Sequence, residues 1–391
     1  MKKLIITGLL MVLLVPAAAM ADVGYDGGFY VQNDEKTFKL KFTGRVQTSF
    51  FYEKEKNGPA ATMQFRLRRA LLGVGADVHE IVHIGFSIMH TSTDLSIPNQ
   101  QQTFQNVNIA GAMASIKVIP AFVVTAGMVG LPLAMINEMS SAWYLMSEAP
   151  IVISRNDTLS NLTPLRSSFG APDGIGINFA GSYWKWFYSL SVVNNTETNY
   201  SFTDNTKAMS FGFRTGFNIM DPVPGSLTDF ECSQTPKLTV SLGSMYQGGR
   251  TDNSGAVIKY LWTSSLGVGF RWAGFSITTE GFYRRTRITN LGGTVLWARP
   301  KLTDIGYYAA VGYYVIPKKL EIAAQAGQSI RQGPANNSWE FGGGLNYYIF
   351  ENNLKVQLGY TMSRYFALDA TNTYTLERTK HNVTLMASAL F

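Results

Sequence analysis

Apolar and polar side chains alternate over most of this 391-residue chain. In "FKLKFTGRVQTSF", Phe38, Leu40, Phe42, Val46 and Phe50 share one parity while Lys39, Lys41, Arg45, Gln47 and Ser49 share the other. Successive side chains of an extended strand point to opposite sides, so period two predicts a strand with one apolar and one polar face. Sixteen such segments can be traced, from 37–53, 63–77 and 80–91 at one end to 338–350, 354–365 and 380–391 at the other.

The connections alternate as well. Those after even-numbered segments are very short, near Val78, "IPA" at 119, "GSY" at 181, Ala273-Gly274, "PKK" at 317 and "ENN" at 351, whereas those after odd-numbered segments are longer and polar, such as "NNTETNYSFTDNTK" from Asn194. An up-and-down membrane barrel with tight turns at one end and long loops at the other produces this pattern, and a Greek-key sandwich does not. One connection departs from it: "DPVPGSLTDFECSQTP", 221–236, falls on the short-turn side.

Alternation alone leaves open which face meets water. Aromatic placement decides it. On the apolar parity, Tyr52, Tyr246, Tyr260, Trp262, Tyr307, Trp339 and Tyr360 lie toward the loop ends, and Trp272, Tyr313, Tyr347 and Phe391 toward the turn ends. Two bands of amphipathic rings match the girdles found at both lipid headgroup levels. The other parity is polar or small: in the tenth segment Thr263, Ser265, Gly267, Gly269 and Arg271 oppose Trp262, Leu266, Val268 and Phe270. The expected fold is therefore all-β, a transmembrane antiparallel up-and-down barrel of about sixteen strands with a wet interior.

The ends of the chain agree. Residues 1–21, "MKKLIITGLLMVLLVPAAAMA", combine two lysines, a short apolar run and an Ala-Met-Ala site, the form of a cleaved export signal. Residues 22–36 then form a periplasmic segment ahead of a barrel spanning 37–391. The chain ends in an alternating strand, "HNVTLMASALF", with a terminal aromatic that resembles the assembly signal of bacterial outer-membrane barrels. Removing Lys2 and Lys3 lowers the net charge from +7 to +5, too little and too scattered for a nucleic-acid surface. Cys232 is the only cysteine, so no intramolecular disulfide forms.

"YDGGFYVQNDEKTFKLKFTGRVQ" (25–47), "FRLRRALLGVGADV" (65–78) and "VVTAGMVGLPLAM" (123–135) resemble the opening strands of the phosphate-selective porin O/P family. The resemblance covers roughly the first 150 residues. It implies a Gram-negative outer-membrane porin, usually a homotrimer, whose third outer loop folds into the lumen. About 44 residues from Leu131, "LPLAMINEMSSAWYLMSEAPIVISRNDTLSNLTPLRSSFGAPDG", lack strand alternation and match that loop, placing a constriction at about 130–173. Its apolar residues, Met135, Ile136, Met139, Trp143, Leu145 and Met146, call for a surface to pack on, either the barrel wall or a cap or subunit contact. The family's phosphate selection is associated with channel arginines and constriction lysines. Residues 130–172 contain no lysine and carry Glu138, Glu148, Arg155, Asp157 and Arg166 instead, a departure from the pattern on which that selectivity rests.

Parity assigns Lys39, Lys41, Arg45, Arg66, Arg68, Arg214, Arg271 and Arg284 to the lumen wall, with Glu53, Glu280, Glu321 and Glu340 as counterweights and Lys355 near the turn end. An Arg or Lys facing lipid at mid-membrane would cost about 2–4 kcal/mol. Such charges either favour anions modestly or pair with one another and keep the lumen wet. In "RLRRA", Arg66, Arg68 and Arg69 cannot all face inward on a regular strand, so either a bulge lies near Arg69 or that residue serves a subunit contact. "RRTR", 284–287, poses the same problem beside an outer loop, where solvent or lipopolysaccharide phosphate could hold it.

Enzymatic motifs are missing from the sequence. His79 and His83 lack helical context for a metal site, and neither a nucleophile elbow, a phosphate loop nor a haem-attachment motif occurs, so no cofactor is expected. The function this predicts is a passive channel for small hydrophilic solutes, with modest anion preference. Its rivals are a barrel acting as a sheath around a partner such as a cytochrome conduit, and an outer-membrane hydrolase that would need an outward Ser/His pair.

Overall fold

The structure, a computed structural model, describes residues 21–56, 61–91, 107–153, 169–171, 173–194, 209–251, 257–290, 301–331, 337–367 and 376–391. The export signal expected over residues 1–21 lies, but for Ala21, outside them. Two short strands, β1 (Ala21–Tyr25) and β2 (Phe29–Asn33), precede β3 (Phe38–Lys56), β4 (Thr62–Val78), β5 (Val82–Thr91), β6 (Val107–Ile119), β7 (Phe122–Gly130), β8 (Asp173–Tyr183), β9 (Trp186–Asn194) and β10 (Met209–Asn218). The second half comprises β11 (Lys237–Thr251), β12 (Val257–Trp272), β13 (Phe275–Asn290), β14 (Lys301–Ile316), β15 (Leu320–Arg331), β16 (Ser338–Phe350), β17 (Leu354–Ala367) and β18 (Leu376–Leu390).

From β3 onward each strand pairs antiparallel with the next, and β18 returns to β3 in register from Thr379↔Lys56 to Leu390↔Arg45. The result is a closed sixteen-stranded barrel. Closure pairs the backbone of every strand on both sides, the condition for a sheet that faces lipid. The tight connections use left-handed backbone that matches strand twist: His79 and Glu80 have φ of 52° and 55°, and Ala273 and Gly274 have 51° and 81°. His79 is thus a turn residue, and His83 lies on β5.

The barrel is inverted relative to a soluble protein. Phe42 and Phe211 are each 45% exposed on the outer face, while Arg271 and Glu321 are fully buried inside. Outward rings form the two expected bands: Trp262 packs edge-on against Tyr283, and Tyr246 stacks on Tyr260, at the loop end, with Trp272, Tyr313 and Tyr347 exposed at the turn end.

Of the two readings of "RLRRA", the structure has the bulge. Gln47 pairs with Arg69 and Thr48 with Leu67, which leaves Arg68 as the extra residue. Arg66, Arg68 and Arg69 therefore all turn inward and are buried, and Leu72 emerges on the outer face beyond them.

The segment 22–36 carries structure that alternation did not reveal. β1 and β2 form a hairpin, and β2 pairs with the lower end of β3 from Phe29↔Phe42 to Gln32↔Lys39, just past the point where β18 stops. At that junction the amide of Gly44 donates to the Phe391 carbonyl, and the Phe391 amide donates to the Gly44 carbonyl.

Candidate functional site

The loop between β7 and β8 folds into the lumen. Its described part, residues 131–153 and 169–171, contains two 3-10 turns, Ile136–Glu138 and Ser141–Trp143. Leu133, Ala134, Ile136, Leu145, Val152 and Phe169 are almost completely buried, and they pack with the inward side chains Phe282, Tyr308, Ala310 and Ala323. The small residues on the inner parity now have a reason: the loop lies directly on them. A Cβ on Gly243 would sit 1.8 Å from the Leu133 carbonyl oxygen, and one on Gly306 would sit 2.5 Å from the Phe169 ring.

Polar wall residues hold the loop around much of the circumference. Glu280 accepts from the amides of Met135 (2.6 Å) and Ile136 (3.2 Å), and the Ser265 hydroxyl donates to the Leu133 carbonyl. Asn346 donates to the Leu145 carbonyl at 2.9 Å, Gln357 donates to the Tyr144 and Leu145 carbonyls, and Glu340 accepts from the Ile151 amide. Arg214 pairs with Glu138.

The strongest anchor is ionic. Arg66 and Arg69 reach Glu148 at 3.3 Å, and Arg68 grips both of its oxygens, with Nη2–Oε2 at 2.6 Å. Burial opposes the charged form of Glu148, but the guanidinium of Arg68, followed by those of Arg69 and Arg66, outweighs it and holds the carboxyl at about 2. Beside this cluster Arg45 donates to the hydroxyls of Ser140 (2.9 Å) and Ser141 (3.2 Å) and lies against the Met89 sulfur. Three guanidiniums thus hold one carboxylate, and a fourth, that of Arg45, lies beside them.

A second segment enters from the turn end. Residues 219–236, which broke the short-turn pattern, rise into the barrel mouth, where the Arg271 guanidinium donates to the Ser226 carbonyl at 2.7 Å. Thr228 is hydrogen-bonded to Glu321 (2.6 Å) and to the Tyr314 hydroxyl (2.9 Å). Asp229 accepts from the amides of Ser233 and Gly274, and Phe230 packs on Tyr314 and Tyr348. The amide of Leu227 donates to the Trp143 carbonyl, so the two inserted segments touch. Between them and the turn at Glu351–Asn353 lies a cavity of about 440 Å³.

These insertions change the standing of the residues that parity assigned to the pore wall. Arg45, Arg66, Arg68, Arg214, Arg271, Arg284, Glu280 and Glu321 all face inward, and all are buried. Arg284 is paired to Asp304 at 2.6 Å with Phe169 over its guanidinium. Glu340 is partly exposed, as are Lys39 and Lys41, which pair with Asp26 near the turn end. Arg155, Asp157 and Arg166 lie outside the described residues. Among the described residues, inward side chains that keep contact with solvent concentrate on β3 to β9: Thr43, Ser87, Ser115, Thr125, Asn178 and Ser189. The free part of the lumen runs along this wall of small polar residues, which also carries Asp77 and His83, paired to each other and partly exposed toward the turn end, with Arg45 at its border. Asn346, Gln357, Ser265 and Thr228 were not singled out from sequence, although each is a polar residue on the inner parity or in the one irregular turn.

No protein-family model matches the chain, and no curated protein matches it. Solved structures do. An anion-selective porin from Comamonas acidovorans shares 12% identity at a TM-score of 0.64, covering 90% of this chain and all of that one. OmpF of Salmonella typhi, in complex with daunomycin, shares 12% at 0.57, covering 93% and 100%. OmpT, an outer membrane protein of Vibrio cholerae, shares 10% at 0.58, covering 91% and 98%. At these identities the likeness is one of fold, and the chain has the sixteen-stranded barrel of bacterial porins.

Proposed function

We propose that this chain is a Gram-negative outer-membrane channel for passive diffusion of small hydrophilic solutes, exported through a cleaved signal over residues 1–21 and assembled as a homotrimer. The observation that carries this reading is the inversion of the barrel, apolar outside and charged inside, with solvent-exposed small residues along one wall. The likeness to porins of known structure supports it. The chain's own loop occupies much of the lumen, which favours diffusion over a sheath around a partner protein. The resemblance of the opening strands to the phosphate-selective porin O/P family belongs to this reading without its phosphate specificity, since the described loop residues offer no lysine.

A modest anion preference belongs to the same proposal. Arg66, Arg68 and Arg69 share the carboxylate of Glu148, and Arg45 beside them is held by the Ser140 and Ser141 hydroxyls; positive charge of this kind bordering the path raises anion concentration there. At about 0.15 M salt the screening length is about 8 Å, so only charges bordering the path count strongly. Reconstitution in planar bilayers under a KCl gradient tests both parts. Open conductance with an anion-signed reversal potential is expected, reduced in Arg45→Gln. Absence of conductance would overturn the channel, and a cation-signed potential would overturn the preference.

A further inference from the structure

We propose a binding site for the phosphate groups of outer-leaflet lipopolysaccharide on the outer face of the barrel, formed by Arg285, Arg287 and Lys301. The site rests on the outer-membrane placement argued above. All three residues are exposed, and strand parity explains why: Arg284 and Thr286 turn inward and are buried, so Arg285 and Arg287 turn outward, while Leu302 turns inward and Lys301 does not.

Register brings the three together. Arg287 is the direct cross-strand partner of Lys301, and Arg285 is one step below it on the same face. Like charges placed directly opposite in a sheet repel, so an arrangement of this kind is unfavourable unless an anion sits between them. The protein does not supply one. None of the three has an ion-pair partner among the described residues. The neighbouring connections, "DNSGA" at 252–256 and "LGGTVLWARP" at 291–300, contain one carboxylate, Asp252, and a further arginine, Arg299.

The height of the patch identifies its ligand. Tyr283 precedes Arg285 on the same face and packs edge-on against Trp262, with ring centroids 5.8 Å apart. Trp262 is the cross-strand neighbour of Arg285, and Tyr260 that of Arg287. Amphipathic rings mark the headgroup level, and two residues along a strand advance about 7 Å, so the basic groups sit immediately outside the hydrocarbon, where lipid phosphates lie. They are on the loop side, which faces away from the periplasm. A glycolipid carrying two phosphates matches three adjacent cations better than a singly charged or zwitterionic lipid does. Guanidinium forks on Arg285 and Arg287 suit bidentate phosphate contact.

Native mass spectrometry of the detergent-solubilised full chain, titrated with bisphosphorylated lipid A and with phosphatidylcholine, tests the assignment. The Arg285→Gln/Arg287→Gln/Lys301→Gln variant is expected to bind lipid A at least about tenfold more weakly, given about 1 kcal/mol for each basic residue at an anionic surface, with phosphatidylcholine binding unchanged. Arg287→Gln alone gives a smaller loss in the same direction and guards against a triple variant that fails to fold. Equal lipid A binding by wild type and both variants would overturn the site. Equal displacement of lipid A by inorganic phosphate at matched concentration would reassign it to free anions and overturn the glycolipid. Channel conductance is a separate readout: lipid A binding without conductance would sink the diffusion channel and leave this site standing.

Discussion

The two segments that enter the barrel do so by different chemistry. The loop after β7 carries its own apolar core and is fastened by charge, with Glu148 held by three arginines and Glu138 by Arg214. The segment after β10 is held mainly by contacts in which at most one partner carries charge: Thr228 on Glu321 and Tyr314, the Ser226 carbonyl on Arg271, Phe230 between two tyrosines. Matched opposite charges in a narrow lumen are strong clamps, whereas hydrogen bonds with only one charged partner give a weaker and less salt-sensitive hold. The difference predicts that the loop is the stiffer element and the turn-side segment the more easily displaced one.

The largest expected effect comes from removing the ionic anchor. Glu148→Gln leaves Arg66, Arg68 and Arg69 buried without their counter-charge and should cost about 3–5 kcal/mol. It would be read as a lower unfolding midpoint in detergent and noisier single-channel current. Unchanged stability would show that the apolar core alone holds the loop.

Acid should act on the same contact. The carboxyl of Glu148 is depressed from its ordinary 4.5 to about 2, so its contribution is fully present above the unfolded value and is lost as pH falls through the folded one. That contribution amounts to about 3 kcal/mol. Loop-dependent current should stay steady from neutral pH down to about 4 and become unstable only near 2. An onset near pH 5 would mean that the arginines do not hold this carboxylate.

Shortening the turn-side segment probes the other clamp. Replacing residues 224–231 by a short glycine linker should raise single-channel conductance, since the turn-end mouth widens while the loop remains. Conductance equal to that of the full chain would show that this segment does not border the solute path. The smallest effect is expected from Thr228→Val, which removes one hydroxyl from Glu321 and should cost about 1–2 kcal/mol in the same unfolding assay. A loss as large as that of Glu148→Gln would erase the contrast between the two segments.

Much of this architecture was legible in the chain. Period-two alternation gave the sixteen strands because each barrel strand has one lipid face and one lumen face, and of the two readings that the crowding of Arg66, Arg68 and Arg69 left open, a bulge or a subunit contact, the structure has the bulge, at Arg68. Parity also put Arg214, Arg271, Arg284, Glu280 and Glu321 on the inner face, where they are buried. It could not say what covers them. Glu280 and Glu321 look like pore-lining acids from their strands alone, but their partners lie about 145 and 93 residues away, on segments whose sequence shows no periodicity. The β1–β2 hairpin escaped notice for a related reason: its five-residue strands are stabilised by a vacant edge of β3, which exists only because the last strand stops short.

That vacant edge has a consequence for assembly. The seam of the barrel joins its first and last strands, and the final residue docks against Gly44, where any added Cβ would collide with the Phe391 ring at 2.2 Å. The amino-terminal hairpin, paired to residues 39–42, takes up the edge just beyond the last strand's own pairing and acts as a stop that fixes how far that strand can slide.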